Sequence, residues 1–213
     1  MKTFSNKEGV LIIDKMIKAI QDNKQYLSDI DGLIGDGDHG INMNKGFTMC
    51  KEELDKYPGD LAHSSGVLSK ILMMKIGGSM GPLYGKMFRG FSKALEGKDA
   101  IGIDEMGEAL ESMLTSVQTI SQAKPGDKTL MDVLIPAIEA YKNALAGGKD
   151  FETALLEMKS AAETGRDSTK NMVAQVGRSS RLGERSKGVL DPGATSCCLL
   201  LGVLADTSIE LLK

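Results

Sequence analysis

DEMGEALESMLTSVQTIS, residues 104–121, is the stretch that decides the fold class. Met106, Leu110, Met113, Leu114 and Val117 recur at three- and four-residue steps, so one stripe of a helix is apolar and the rest of its surface polar. The same spacing extends in both directions. Val10, Ile13, Ile17 and Ile20 predict a first helix of roughly twenty residues, and further helical stretches fall near 41–56, 61–75, 82–96, 128–146, 151–165 and 194–212. Asp104 and Asp127 read as N-caps, and Gly97 and Gly147 as stops. No stretch alternates apolar and polar residues as a half-buried strand would. The expected architecture is a single all-α domain over 1–213, a bundle of about eight antiparallel helices.

Composition agrees and removes several function classes. The chain has 213 residues, 41% hydrophobic and 26% charged, as in an ordinary globular domain with a full core. Its net charge of −3 and the lack of a lysine-arginine block argue against nucleic acid or an anionic membrane as partner. The start, MKTFSNKEGV, lacks a basic region followed by an apolar stretch, and the longest apolar run, Cys197 to Ala205, is too short to span a bilayer. Three cysteines without metal spacing read as reduced thiols, and the expected location is the cytoplasm. Thirteen methionines against nine aromatics predict a core of flexible aliphatic side chains.

Glycine collects in four places, 32–40, 77–90, 125–126 and 177–193, each between helical stretches. Binding residues concentrate in such segments, and alternate loops of an antiparallel bundle can meet at one end. The first segment carries the clearest chemistry. Asp31, Asp36 and Asp38 put three carboxylates within eight residues, and their mutual repulsion calls for a cation; hard divalent ions take oxygen ligands. Ile41, Met43 and Phe47 then begin a helical pattern, so the cluster is expected in a loop feeding a helix N-terminus, where free N–H groups favour phosphate. A DGD run also occurs as an ordinary turn with an Asp N-cap. An EF-hand is excluded: counting from Asp29, Leu33 and Gly40 fall where a carboxylate and a bidentate Glu are needed.

The second segment, GGSMGPLYG (77–85), places Pro82 in a first helical turn behind a glycine-rich anion nest, without the sequence of a Walker A loop. The third, KPGDKT (124–129), reads as a turn with an N-cap. The fourth, 177–193, is too polar for core and too glycine-punctuated for a surface helix. Its arginines suit phosphate oxygens, and Asp191-Pro192-Gly193 makes a rigid turn before the last helix.

Taken together and in order, GDGDHGINM (35–43), GGSMGPLYG (77–85), KPGDKTLMD (124–132) and GRSSRLGERSKGVLDPGATS (177–196) resemble the nucleotide-binding L subunit of bacterial dihydroxyacetone kinases, over essentially the whole chain. The resemblance implies a barrel of eight antiparallel helices with the nucleotide at one end. It implies Asp31, Asp36 and Asp38 as ligands of two Mg²⁺ ions that bridge the phosphates of ADP or ATP. It also implies nucleotide contacts from His39, Gly40, Ile41 and Asn42, from Ser79 and Met80, from Leu130 at the adenine, and from Arg178, Asp191, Pro192 and Gly193 closing the pocket. Met80 stands where the family more often has a hydroxyl, which leaves phosphate contact to Ser79 or the backbone. Ser121 and Gln122 replace a glycine pair at the adenine wall, and the 177–191 loop is more basic than the family pattern.

The implied partners are a ketose-binding kinase subunit and the phosphohistidine donor protein of the phosphotransferase system, with a homodimer also allowed for. Bound ADP would be rephosphorylated in place and the ATP so formed would phosphorylate the ketose. Two other readings stay open at this point: an ATP-dependent kinase subunit for another ketose or polyol, and a non-catalytic nucleotide-binding regulatory module. Phosphoryl transfer needs positioning and charge neutralisation rather than a protein nucleophile, so no triad is required in this chain.

Overall fold

A computed structural model describes residues 2–212. Helices dominate, as the periodicity requires. α1 (Val10–Asp22), α2 (Lys24–Ile34), α3 (His39–Lys56), α4 (Leu61–Lys75) and α5 (Met80–Leu95) are followed by α6 (Ile103–Gln118), α7 (Met131–Ala146), α8 (Phe151–Ser168) and α9 (Pro192–Leu211). Chain neighbours pack in sequence from α3 to α9, and α1 lies against both α3 and α9, which closes the ring. α9 forms much of the interior: Ala194, Cys197, Leu200, Leu201 and Leu204 are buried. It is long and apolar enough to cross a membrane by length and composition, but here its apolar residues are spent on the core. The three cysteines are free and buried.

The fold class is as expected; some boundaries are not. The predicted first helix of roughly twenty residues is two helices. Asn23 (φ −103°, ψ 9°) leaves helical geometry and its side chain donates to the Ala19 carbonyl, which ends α1 and lets α2 start at once. Asp31 therefore sits in the last turn of α2 rather than in a loop. Asp104 is not an N-cap: Gly102 holds that place, its N–H donates to Glu105 Oε2, and Asp104 lies within the first turn. Asp127 accepts from the Lys124 N–H inside the turn, and α7 starts four residues later. Gly147 caps α7, and Gly97 follows the C-cap of α5.

The sequence showed no strand, yet Phe4–Ser5 and Ala100–Ile101 form a two-residue antiparallel pair, Phe4 opposite Ile101, too short to leave a periodic signal. The expected non-helical fourth segment holds a 3₁₀ stretch, Arg178–Ser186, interrupted at Gly183. Polar and irregular in geometry, it carries no α-helical periodicity to read.

The antiparallel order sorts the connectors. Those at 57–60, 96–102 and 147–150 lie at one end; those at 35–38, 76–79, 119–130 and 169–191 lie at the other. Asn6 ties down the first of these ends. Its Nδ2 donates to the Leu95 (3.0 Å) and Lys98 (2.8 Å) carbonyls, and its Oδ1 accepts from the Ala62 N–H at 3.1 Å; the bonds to Leu95 and Ala62 are buried and that to Lys98 partly so. Asn6→Ala removes all three bonds and leaves the Leu95 carbonyl only the Lys98 N–H. It should cost about 2–4 kcal/mol in chemical denaturation while leaving ligand binding at the opposite end unchanged; a loss below about 0.5 kcal/mol would contradict this assignment.

Candidate functional site

All four connectors at the second end line one cavity of ≈ 590 Å³. The α2–α3 junction supplies Asp31, Gly35, Asp36, Asp38, His39 and Asn42; the α4–α5 turn supplies Gly77, Gly78, Ser79 and Met80. The α6–α7 connector adds Ile120, Ser121, Lys128 and Leu130, and the last connector adds Val176, Gly177, Arg178, Asp191, Pro192 and Gly193. The N-termini of α3, α5, α7 and α9 open on this space, so four helix dipoles present their positive ends to it. Asp38 and Ser79 stand at the N-cap positions of α3 and α5 without making a side-chain cap bond, which leaves donors there for an anion.

On one wall, Asp31, Asp36 and Asp38 bring ligand oxygens within 4.8 Å of one another, a spacing one or two divalent ions can bridge. Asp31 is held rigidly for that task. Its Oδ2 accepts the His39 N–H at 3.2 Å, and a Cβ on Gly35 would come to 2.3 Å from its Oδ1, so only glycine leaves the carboxylate room. Asp36 pairs with the Arg178 guanidinium, so the last connector reaches across the mouth to the first. Burial lowers His39 to about 4, against the opposing pull of Asp31, and the imidazole is neutral near pH 7. Its Nε2 lies 2.8 Å from Ser196 Oγ, which is 2.6 Å from the hydroxyl of buried Tyr84; that hydroxyl donates to the Gly193 carbonyl at 2.9 Å. Burial also keeps the Tyr84 phenol protonated.

The opposite wall is organised by Lys128. It adopts φ 61°, rare for a residue with a side chain, and its buried ammonium donates to the carbonyls of Thr169 (2.7 Å), Met172 (3.3 Å) and Val189. One cation thereby pins the α6–α7 connector to both ends of the last one, although burial lowers its basicity. Asp132 accepts the N–H groups of Gly126 and Thr129 and closes the same turn.

The family model for the DAK2 domain matches residues 33–206. The chain belongs to the DAK2-domain family. It is 36% identical to the "PEP-dependent dihydroxyacetone kinase, ADP-binding subunit DhaL" of Escherichia coli over 185 residues, 85% of this chain and 87% of that one. It is 34% identical to the "PTS-dependent dihydroxyacetone kinase, ADP-binding subunit DhaL" of Lactococcus lactis over 196 residues, 91% of this chain and 93% of the other. A solved structure of the C. freundii dihydroxyacetone kinase in complex with AMP-PNP and Mg²⁺ superposes with a TM-score of 0.65 at 23% identity. That match covers 92% of this DAK2 chain and 33% of the solved one, and it shows a shared fold.

Within this DAK2 domain, the structure gathers Asp31, Asp36, Asp38, His39, Asn42, Ser79, Met80, Ser121, Leu130, Arg178, Asp191, Pro192 and Gly193 around the cavity. Gly40 and Ile41 do not line it. Gly40 backs onto α2, where a Cβ would stand 2.0 Å from the Lys24 carbonyl, and the Ile41 side chain is exposed. Lys128, Tyr84 and Ser196 escaped the sequence reading. Lys128 and Tyr84 lay inside quoted motifs and Ser196 ended one, but nothing in spacing tells a buried, bonded side chain from a solvated one.

Asp191 caps α9 through the Ala194 N–H (2.7 Å), and burial raises its carboxyl from 3.8 to about 7. The folded chain thus holds a proton that the unfolded chain releases, so this contribution to stability is full below about 3.8 and is lost between about 3.8 and about 7 as pH rises. In urea unfolding, the stability of the wild type relative to Asp191→Asn should fall by up to about 1.4 kcal/mol per pH unit within that window. A difference independent of pH would refute the burial argument.

Proposed function

We propose that this chain is the ADP-binding subunit of a phosphotransferase-system-linked dihydroxyacetone kinase. Bound ADP is rephosphorylated in place by a phosphohistidine protein, and the resulting ATP phosphorylates dihydroxyacetone held on a separate ketose-binding subunit. The observation that carries the reading is the convergence of three carboxylates and the free N-termini of α3 and α5 on one cavity. The names of the relatives, ADP-binding subunits of PEP- or PTS-dependent kinases, support the donor and the acceptor.

Asp31, Asp36 and Asp38 hold two Mg²⁺ ions in this reading. Three carboxylates offer six oxygens, more than the one or two carboxylates by which a single Mg²⁺ is usually bound. When bound, the metal neutralises charge on the phosphate oxygens during transfer. In the first turn of α3, Gly40 and Ile41 contribute backbone N–H groups, while His39 and Asn42, whose own N–H groups are held by Asp31 and by the Asp38 carbonyl, contribute side-chain contacts. Ser79 and Met80 supply N–H groups at the start of α5. Leu130 and Ser121 face the base, and Asp191 to Gly193 form the floor. Arg178 exchanges its contact with Asp36 for a phosphate oxygen as the last connector closes.

Exposed apolar side chains accompany the site loops. Ile120 and Val176 line the cavity, while Leu33 and Ile41 flank residues that do. They offer the subunit presenting dihydroxyacetone an apolar surface around the reacting phosphate. These roles are filled within one chain and require no homodimer. Buried reduced cysteines suit the cytosol, where we place the protein.

Calorimetry tests the site. Asp36→Asn should abolish Mg²⁺-dependent ADP binding, with helical circular dichroism unchanged because removing a charge relieves repulsion; unaltered ADP affinity in Mg²⁺ would sink the metal assignment. A coupled assay tests the subunit reading. The purified chain with ATP and free dihydroxyacetone should show no turnover until a ketose-binding subunit is added, and robust turnover alone would refute it.

A further inference from the structure

Behind the acidic cluster a buried polar line crosses three helices. His39 Nε2 is 2.8 Å from Ser196 Oγ, Ser196 Oγ is 2.6 Å from Tyr84 Oη, and Tyr84 Oη is 2.9 Å from the Gly193 carbonyl. Tyr84 and Ser196 are sealed from water. The three contacts fix where the protons lie. Tyr84 has one proton, and the Gly193 carbonyl can only accept, so Tyr84 donates to Gly193. Its oxygen must then accept from Ser196, whose own oxygen must accept from His39, so Nε2 of the imidazole carries the proton. Ser196 Oγ also lies 3.1 Å and 3.2 Å from the Pro192 and Gly193 carbonyls. Sending its proton there, or to His39, would require the Tyr84 proton to fill the 2.6 Å contact and would leave the 2.9 Å contact to Gly193 without one. One arrangement alone serves all three contacts.

Both ends of this line are at the cavity wall. At one end the His39 backbone N–H holds Asp31 at 3.2 Å; at the other, Gly193 forms the turn that Asp191 caps. We infer that Tyr84 and Ser196 are positioning residues that lock His39 to Gly193, so that the carboxylate wall and the α9 turn keep one spacing and bind metal and nucleotide as a unit. This inference rests on the nucleotide reading above.

Tyr84→Phe keeps the packed ring and removes only the hydroxyl; Ser196→Ala removes the central link. The chain has two histidines, His39 and the exposed His63, so ¹⁵N spectra of the imidazoles resolve both. In the ligand-free wild type at mildly alkaline pH, His39 should carry its proton on Nε2, and in Ser196→Ala it should become a mixture of tautomers. Each variant should bind ADP in Mg²⁺ about ten-fold more weakly, the scale of one lost buried hydrogen bond. ADP affinity in a metal chelator should change less, and the thermal midpoint should stay within a few degrees. Melting would move with a merely structural role, and the tautomer reports that the bond exists; the Mg²⁺-linked part of ADP affinity is the readout that a merely structural role would leave unchanged. A proton on Nδ1 in the wild type, or unchanged Mg²⁺-linked affinity in both variants while the wild type binds, overturns the inference. Failure of the wild type to bind Mg²⁺ and ADP at all is the separate failure of the nucleotide reading.

Discussion

Electrostatic repulsion among Asp31, Asp36 and Asp38 is the constraint on which the rest of the site depends. Carboxylate oxygens within 4.8 Å of each other repel unless positive charge meets them. The fold supplies that charge in three forms: the His39 N–H on Asp31, the Arg178 guanidinium on Asp36, and the dipoles of helices whose N-termini open on the same cavity. Each is partial. Arg178 and Asp36 are both solvent-exposed, where an ion pair contributes little net stability, so their contact can be exchanged at low cost for metal on the one side and phosphate on the other.

Bundle topology explains why the candidate site lies at one end. Four connectors meet there because the antiparallel order returns every second loop to the same face, and those loops carry the acidic cluster and Arg178. The other end is closed by Asn6 and the short Phe4–Ser5 and Ala100–Ile101 pair. Rigidity at the active end comes from buried polar groups rather than from regular structure: Lys128 gathers three carbonyls, and the Tyr84–Ser196–His39 line spans the base of the cavity.

Much of this was legible in the sequence, because helical periodicity and glycine punctuation are local signals. The stripe from Met106 to Val117 lies on α6, and the four glycine segments reach the site end of the bundle, although Gly85 and Gly90 of the second lie within α5. What stayed illegible depends on three-dimensional neighbours. Asn23 splits the first helix through a bond to a carbonyl four residues back, although the apolar spacing before it runs on smoothly. Gly40 and Ile41 follow the acidic motif but face α2 and solvent, since a helix turns successive residues through about 100°. Lys128 lay in a segment read as a turn with an N-cap and is a buried tether.

The central claim is that the four loops at one end act as a single Mg²⁺–nucleotide site. Backbone amide chemical-shift mapping with ADP, in the presence and absence of Mg²⁺, tests it most directly. Shifts confined to residues 35–42, 77–81, 120–131 and 176–194, and appearing together only when Mg²⁺ is present, are the predicted result. Shifts centred on the connectors at 57–60, 96–102 and 147–150, or ADP-induced shifts indifferent to Mg²⁺, would contradict it.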